Sequence, residues 1–224
     1  MSKKSAYICG SVFAFLSVVF TVLVKTVDVG TWEKTGKQMG LLTLNSGFHN
    51  LTGTSEFWYE LTNKMGIISI ALGLLFMVYG GIILIKRKSF LKVDRFIYAL
   101  GSLYVVLGVI YVAFEKVNIN YRPIILAGDT EAEASFPSSH TLLICTIIIT
   151  ATITLSRLLK GKKALRITVW VVGSCFTALG VAGRLLCGYH WLSDIISSIL
   201  ISAALIFFYT AASKEQNGKH TQKT

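Results

Sequence analysis

The sequence predicts an all-α membrane protein, a polytopic bundle of about six spanning helices with both termini in the cytoplasm. Three observations carry that expectation. The 224 residues are 53% hydrophobic with a mean hydropathy of +0.63, too apolar for a soluble domain. Six apolar stretches are long enough, or nearly so, to cross a hydrocarbon core of about 30 Å as helices. The charges are sorted between the connections that join those stretches. Short alternating strands with turns are absent, which argues against a membrane barrel.

The first span is placed at Ala6–Val24, behind Lys3 and Lys4. A charged start before an apolar run also suits a signal peptide. No small-x-small cleavage site follows Val24 and five more spans come later, so it reads as an uncleaved helix. Lys25–Met65 is the longest outward connection and carries Trp32, Phe48, Phe57, Trp58 and Tyr59. Its second half, "EFWYELTNKMG" (56–66), suits either an aromatic belt anchoring the next span or a short helix lying in the headgroups, and the belt is the simpler reading. His49 reads as a surface histidine, and Asn50-Leu51-Thr52 fits a glycosylation sequon. The second and third spans follow at Gly66–Ile85 and Phe96–Phe114. The fourth, Ser138–Ser156, begins after Pro137, because proline biases the residue before it away from helix. The fifth and sixth are placed at Ile167–Gly183 and Trp191–Ala212.

Basic residues cluster on alternate connections. Lys3, Lys4, Lys86, Arg87, Lys88, Lys92, Arg95, Arg157, Lys160, Lys162, Lys163, Arg166, Lys214, Lys219 and Lys223 fall on one side, with only Asp94 and Glu215 as acids. Those are fifteen of the 22 basic residues; the other side has seven basic and nine acidic ones. This is the positive-inside bias, so the net charge of +11 is a topology signal and not a nucleic-acid footprint. The cysteines Cys9, Cys145, Cys175 and Cys187 lie in or beside apolar runs without metal-ligand spacing or a disulfide framework, and read as small hydrophobes. Residues 1–224 read as one domain without internal repeats.

Against this apolar background stands "RLLCGYHWLSD", Arg184 to Asp194. From Ile167 to Ala212 only Arg184, His190 and Asp194 readily carry charge. By topology they gather at one membrane face with His140, at the start of the fourth helix, and with Lys116 and Arg122, after the third. Taken singly, a histidine near a span end is an interfacial residue and an arginine snorkels to headgroups. Grouped on one face, ionisable residues call for a functional explanation. His190 and Asp194 are four apart, so a helix puts them within reach of each other. The carboxylate then fixes the imidazole tautomer and leaves the other ring nitrogen as a nucleophile. Arg184 offers a planar fork for phosphate oxygens, and Arg122 and Lys116 add positive charge where a phosphoryl transition state spreads negative charge. His140 can serve as an acid. After Pro137, Ser138 and Ser139 lie in a first helical turn with free backbone N–H groups, a ready anion site. Asp129, Glu131 and Glu133 suggest a cation site or a solvated loop; acids aimed into a phosphate pocket would oppose the substrate, so the loop is preferred.

These motifs resemble the signature of the type 2 phosphatidic acid phosphatase (PAP2) superfamily of integral membrane lipid phosphatases: Lys-x6-Arg-Pro, Pro-Ser-Gly-His and Ser-Arg-x5-His-x3-Asp. Here they read "KVNINYRP" (Lys116 to Pro123), "PSSH" (Pro137 to His140) and "GRLLCGYHWLSD" (Gly183 to Asp194). Three departures stand out. Lys116 is one residue too close to Arg122, with Glu115 at the expected lysine position. Ser139 stands where glycine is usual, and Gly183 replaces a serine.

The resemblance implies that His190 attacks phosphorus to give a phosphohistidine, oriented by Asp194, while His140 protonates the leaving group. It implies that Lys116, Arg122, Ser138 and Arg184 hold the phosphoryl oxygens, with Ser139 adding a hydroxyl beside them. No metal or other cofactor is expected. The partners implied are a lipid phosphate or diphosphate and membrane lipids, with no nucleic acid. The expected location is the plasma membrane with the site facing outward, which favours undecaprenyl diphosphate. Phosphatidylglycerophosphate or phosphatidate phosphatase, lipid phosphotransferase and a non-catalytic lipid-binding protein are the alternatives.

Overall fold

The structure, a computed structural model, describes residues 1–88 and 94–214. Six helices in it are long and apolar enough to cross a membrane. They comprise α1 (Lys3–Thr26), α3 (Glu56–Arg87), α4 (Arg95–Glu115), a continuous span over Ser139–Leu158, α7 (Lys163–Leu186) and α8 (Leu192–Ala212). The fourth span is built from α5 (Ser139–Leu143), one wide π-helical turn (Ile144–Ile148) and α6 (Ile149–Leu158). The first five begin or end one to ten residues beyond the apolar stretches, because helices run on into the headgroup region after their sequence has turned polar, and α8 keeps the expected bounds to within a residue. Of the basic and acidic residues used for topology, Lys92, Glu215, Lys219 and Lys223 lie outside the described residues.

The largest departure from expectation is α3. Glu56–Gly66 is not a separate interfacial helix but the first three turns of α3, which runs for 32 residues. At 1.5 Å per residue that is about 48 Å, well beyond the hydrocarbon thickness, so its N-terminal turns stand in the same layer as the long loops that precede α3 and follow α4. The loop before it also holds α2 (Leu42–Thr52) and a small antiparallel pair, β1 (Gly30–Thr31) with β2 (Gln38–Met39). His49 on α2 is not a surface residue. It is buried against the edges of Trp32 and Trp191, with ring centroids 5.8 and 5.6 Å away, and burial lowers its pKa below the ordinary histidine value.

The core lies between α4, the fourth span and α8. Leu100, Leu103 and Leu107 form one face of α4 at helical spacing and meet Leu142, Ile147, Ile201, Leu205 and Tyr209. Tyr209 and Thr154 hydroxyls bond at 2.6 Å inside this layer. The π turn leaves irregular hydrogen bonding in the fourth span, and α8 compensates: Ser202 Oγ donates to Leu142 O at 3.4 Å and accepts from Thr146 Oγ1 at 3.1 Å. At the opposite end of the bundle, Arg95 Nε and Arg157 Nη1 donate to the carbonyls of Ala212 and Ser213, at 3.0 and 3.2 Å. Basic residues thus satisfy the acceptors left open where α8 ends.

A buried amide network ties the loops that precede α3 and follow α4 to the start of α8. Asn45 Nδ2 donates to Gly40 O at 2.8 Å and to Ser193 Oγ at 2.9 Å, while its Oδ1 accepts from Ser193 N at 3.1 Å. Asn120 Oδ1 accepts from Gly40 N at 2.9 Å. Removing one partner strands the others in a buried setting, so Asn120→Ala and Asn45→Ala are each expected to cost about 1–3 kcal/mol. Thermal unfolding in detergent should show both variants melting below wild type, with Leu51→Ala, at an exposed position, as the unaffected control.

Candidate active site

Three chain turns meet at the membrane face where α3, α5 and α8 begin and α4 and α7 end. The segment between α4 and α5 folds back on itself, with Tyr121 bridged to Ala134 and Arg122 N donating to Glu133 O at 2.8 Å. Two indoles pin it: Trp32 Nε1 donates to Pro123 O at 2.9 Å and Trp191 Nε1 to Tyr121 O. These contacts fix the backbone on both sides of Arg122. After α7, Gly188 turns the chain in the left-handed region, at φ +71°, with Gly53 O close to where a Cβ would stand. Only glycine fits there, and the turn delivers His190 to the site.

Arg184 is the hub. It is 0% exposed, and its guanidinium spends each terminal nitrogen differently. Nη2 donates to His140 Nδ1 and to His190 Nε2, both at 3.1 Å. Nη1 donates to Thr62 Oγ1 at 3.1 Å and to Asn63 Oδ1 at 3.2 Å, both on α3. Because arginine has only donors, each imidazole must present a lone pair to it. The tautomers follow: His140 carries its proton on Nε2 and His190 on Nδ1.

His190 Nδ1–H donates to the carbonyl of Ser135 at 3.1 Å, and Asp194 Oδ2 stands 3.6 Å from the same nitrogen. Spacing alone suggested that a helix brings His190 and Asp194 together. Instead His190 lies before α8, whose N-cap is Trp191. Asp194 Oδ2 accepts from Trp191 N at 3.0 Å, so the carboxylate caps its own helix and faces the imidazole from that position. Ser138 is tied to the same turn, its N–H donating to Asp194 O at 3.2 Å and its carbonyl accepting from Ser198 Oγ at 2.8 Å.

Beside these groups lies a cavity of about 530 Å³ whose wall includes His140, His190, Ser139, Arg122, Glu115 and Glu133. Arg122 Nε is 3.2 Å from Glu133 Oε2, and Arg122 Nη1 is buried without a hydrogen-bond partner among the described residues. Four residues expected at the site do not line this wall: Arg184 and Asp194 are fully buried and touch His190 away from it, and Lys116 and Ser138 also lie off it. Lys116 is exposed at the C-cap of α4, and its neighbour Glu115 faces the cavity. Ser138 is fully buried, its hydroxyl accepting from Thr141 Oγ1 at 3.0 Å. Sequence reasoning missed Thr62, Asn63 and the Ser135 carbonyl. A backbone acceptor has no sequence signal, and the α3 pair lies about 120 residues from its partner, with only the polarity of "LTNK" to mark it. Glu133 belongs to the cavity wall, whereas Glu131 pairs with Lys37, so the acidic trio is neither a cation cluster nor wholly a solvated loop.

Apolar hollows line the bundle next to this cavity. One of about 240 Å³, walled by α3, α4 and the fourth span, shares the lining residue Tyr111 with it, and a further one of about 350 Å³ shares Met77 and Tyr104 with the second. A polar site thus has an apolar neighbour along the bundle.

The pKa of His190 is pushed well below the ordinary histidine value, first by burial and then by the charges of Arg184 and Arg122. The ring therefore stays neutral with its Nε2 lone pair available. Since the unfolded chain takes up a proton near pH 6.5 that the folded one refuses, this group weakens folding as pH falls below about 6.5. ¹⁵N NMR of histidine-labelled protein should show His190 as the neutral Nδ1–H tautomer on both sides of that pH. An imidazolium there at pH 6 would contradict the assignment.

The PAP2 superfamily model matches residues 47–217. The fold is similar to the crystal structure of a transmembrane PAP2 type phosphatidylglycerolphosphate phosphatase from Bacillus subtilis, with a TM-score of 0.60 at 14% identity over 91% of this chain and 94% of that one. No curated protein sequence matches the chain. With the family match running from α2 past the end of α8, the chain belongs to the PAP2 superfamily.

Proposed function

We propose that this membrane lipid phosphatase hydrolyses its substrate in two steps through a phosphohistidine on His190. The observation that carries the reading is the pairing of a neutral His190, its Nε2 lone pair directed at Arg184, with a polar cavity that has an apolar hollow beside it at Tyr111. The phosphate enters beside Arg122 and Arg184 and accepts their N–H groups, drawing Arg184 Nη2 away from the histidines. His190 Nε2 then attacks phosphorus while the bond to the lipid oxygen breaks. The positive charge that develops on the ring is stabilised by the Ser135 carbonyl and the Asp194 carboxylate. A phosphate bound as its singly protonated anion gives that proton to His140 Nδ1 once Arg184 has turned away, and the resulting imidazolium gives its Nε2 proton to the leaving oxygen; the anion beside it favours that charged form. In the second step water loses a proton to His140 and attacks phosphorus, the N–P bond breaks, and phosphate leaves.

Arg122, Arg184 and Ser139 are the phosphate-holding side chains in this reading, and Ser138 acts through its place at the turn beside Asp194. Lys116 assists only by long-range charge, since it lies off the cavity wall. The tail occupies the apolar hollows between α3 and α4. The charge bias of the connections supports cytoplasmic termini and an outward-facing site in the plasma membrane, with the whole chain as one catalytic domain. An outward site suits undecaprenyl diphosphate, with phosphatidylglycerophosphate and phosphatidate as competing substrates.

Purified protein should release phosphate from at least one of these three lipids in the presence of EDTA, and His190→Ala should abolish release. Removing a triad-like nucleophile typically lowers turnover by about 10⁴-fold or more. Alkaline quench of the wild-type reaction should trap phosphate on His190 that later acid treatment releases, whereas His140→Ala should slow release of a poor leaving group most. Release that persists in His190→Ala, or that requires a divalent metal, would overturn the mechanism. The fastest of the three lipids identifies the substrate.

A further inference from the structure

We infer that the N-terminal face of α3, Tyr59, Thr62, Asn63 and Gly66, is a positioning element of the active site, setting the rotation of the Arg184 fork and the seat of His140. The inference rests on the function proposed above. The four positions are spaced i, i+3, i+4 and i+7, which puts them on one side of a helix. Each makes a different contact. Tyr59 offers its ring to the guanidinium, with the carbon centre 5.4 Å from the ring centroid, and its other side stacks on Tyr189 at 4.0 Å. Thr62 and Asn63 accept both hydrogen bonds from Nη1. Gly66 lies against the His140 ring so closely that a Cβ would fall 2.5 Å from its Cδ2.

Thr62 is fully buried and the orientation of its hydroxyl is not free. Its proton is directed to the carbonyl of Trp58 at 2.7 Å, which leaves only lone pairs for Arg184. Threonine here is therefore an obligate acceptor, and it holds Nη1 on the α3 side so that Nη2 faces the two histidines. The close approach this needs is reflected across the contact on α7, where Gly183 stands against α3. A Cβ at 183 would fall 2.6 Å from Thr62 Cγ2 and 3.0 Å from Trp58 Cε3. A side chain at 183 would therefore push α3 away and take both Nη1 acceptors with it. A guanidinium without them is free to turn in its plane, and a planar donor fork binds phosphoryl oxygens only when its orientation is held.

Thr62→Val removes the acceptor and keeps the volume, while Thr62→Ser keeps the acceptor. Orthovanadate, which occupies phosphoryl-transfer sites independently of the lipid tail, is the probe. Its affinity is read by thermal shift in detergent, alongside kcat on whichever of the three lipids wild type hydrolyses. Thr62→Val is expected to bind vanadate about tenfold more weakly, the loss of one charge-assisted hydrogen bond, with kcat reduced and the vanadate-free melting curve still cooperative. Thr62→Ser should recover most of both. In an Arg184→Lys background, Thr62→Val should add nothing, because the residue acts through the fork it holds. A folded Thr62→Val with wild-type vanadate affinity and kcat overturns the inference. So does a loss that adds in full to that of Arg184→Lys, or one that Thr62→Ser does not repair. If Arg184→Lys does not fold, the contrast between valine and serine decides alone. Wild type that neither binds vanadate nor hydrolyses any lipid would sink the proposed function itself, and this inference with it.

Discussion

A positive charge buried without any exposure governs this structure. Arg184 has no water to turn to, and a charge in that position persists only where the surrounding groups are arranged to receive it. It carries donors alone, so its neighbours must all be acceptors: two hydroxyl or amide oxygens from α3 and two imidazole lone pairs from α5 and the loop before α8. That demand brings elements more than 120 residues apart to one point and fixes the protonation of both histidines. Much of the local architecture can be read outward from it, including the extension of α3 beyond the hydrocarbon layer and the absence of a side chain at Gly183.

The second requirement is that the histidines meet their other partners at defined angles. Here the loops that precede α3 and follow α4 matter more than the spans. Asn45, Asn120 and Ser193 join both loops to the start of α8, and Trp32 and Trp191 fix the carbonyls on either side of Arg122. Asp194 and Ser138 cross-link the first turns of α8 and α5. The spans supply a rigid frame, and a small set of buried polar contacts at one end converts it into a site. Buried polar networks are costly where a member is left unpaired; many of these side chains have two partners, while Arg184 Nε and Asp194 Oδ1 are buried without a hydrogen bond among the described residues.

Hydropathy and charge were enough to find the spans, since length and apolarity are what the bilayer selects. The residues proposed to carry the chemistry were equally visible, because His140, Arg184, His190 and Asp194 are costly exceptions in apolar surroundings. Their geometry was less so. The four-residue interval between His190 and Asp194 is real, but helix capping produces their contact, with the Ser135 carbonyl as the nearer partner. Ser138 matched a motif position and Lys116 stood one residue from its own, yet Lys116 is off the cavity wall and Ser138 is fully buried. His49 looked like a surface residue because nothing in a single polar loop reveals that two tryptophans will close over it. Thr62 and Asn63 were hidden for a different reason: a polar pair at a span's edge has no distinguishing pattern until the arginine it serves is placed beside it.

If a lipid tail lies along the apolar hollows between α3 and α4, as proposed above, concentration has a different meaning for this protein. A head site fed through a side opening in the bundle meets its ligand by lateral diffusion within one leaflet, a search in two dimensions. Occupancy is then set by the mole fraction of the ligand among the lipids, and adding inert lipid dilutes it while the amount per litre stays constant. The leaving group has the same property, since a dephosphorylated tail stays in the leaflet and competes for the hollows, whereas the released phosphate is lost to water. Lipid composition therefore acts on turnover as directly as substrate supply does.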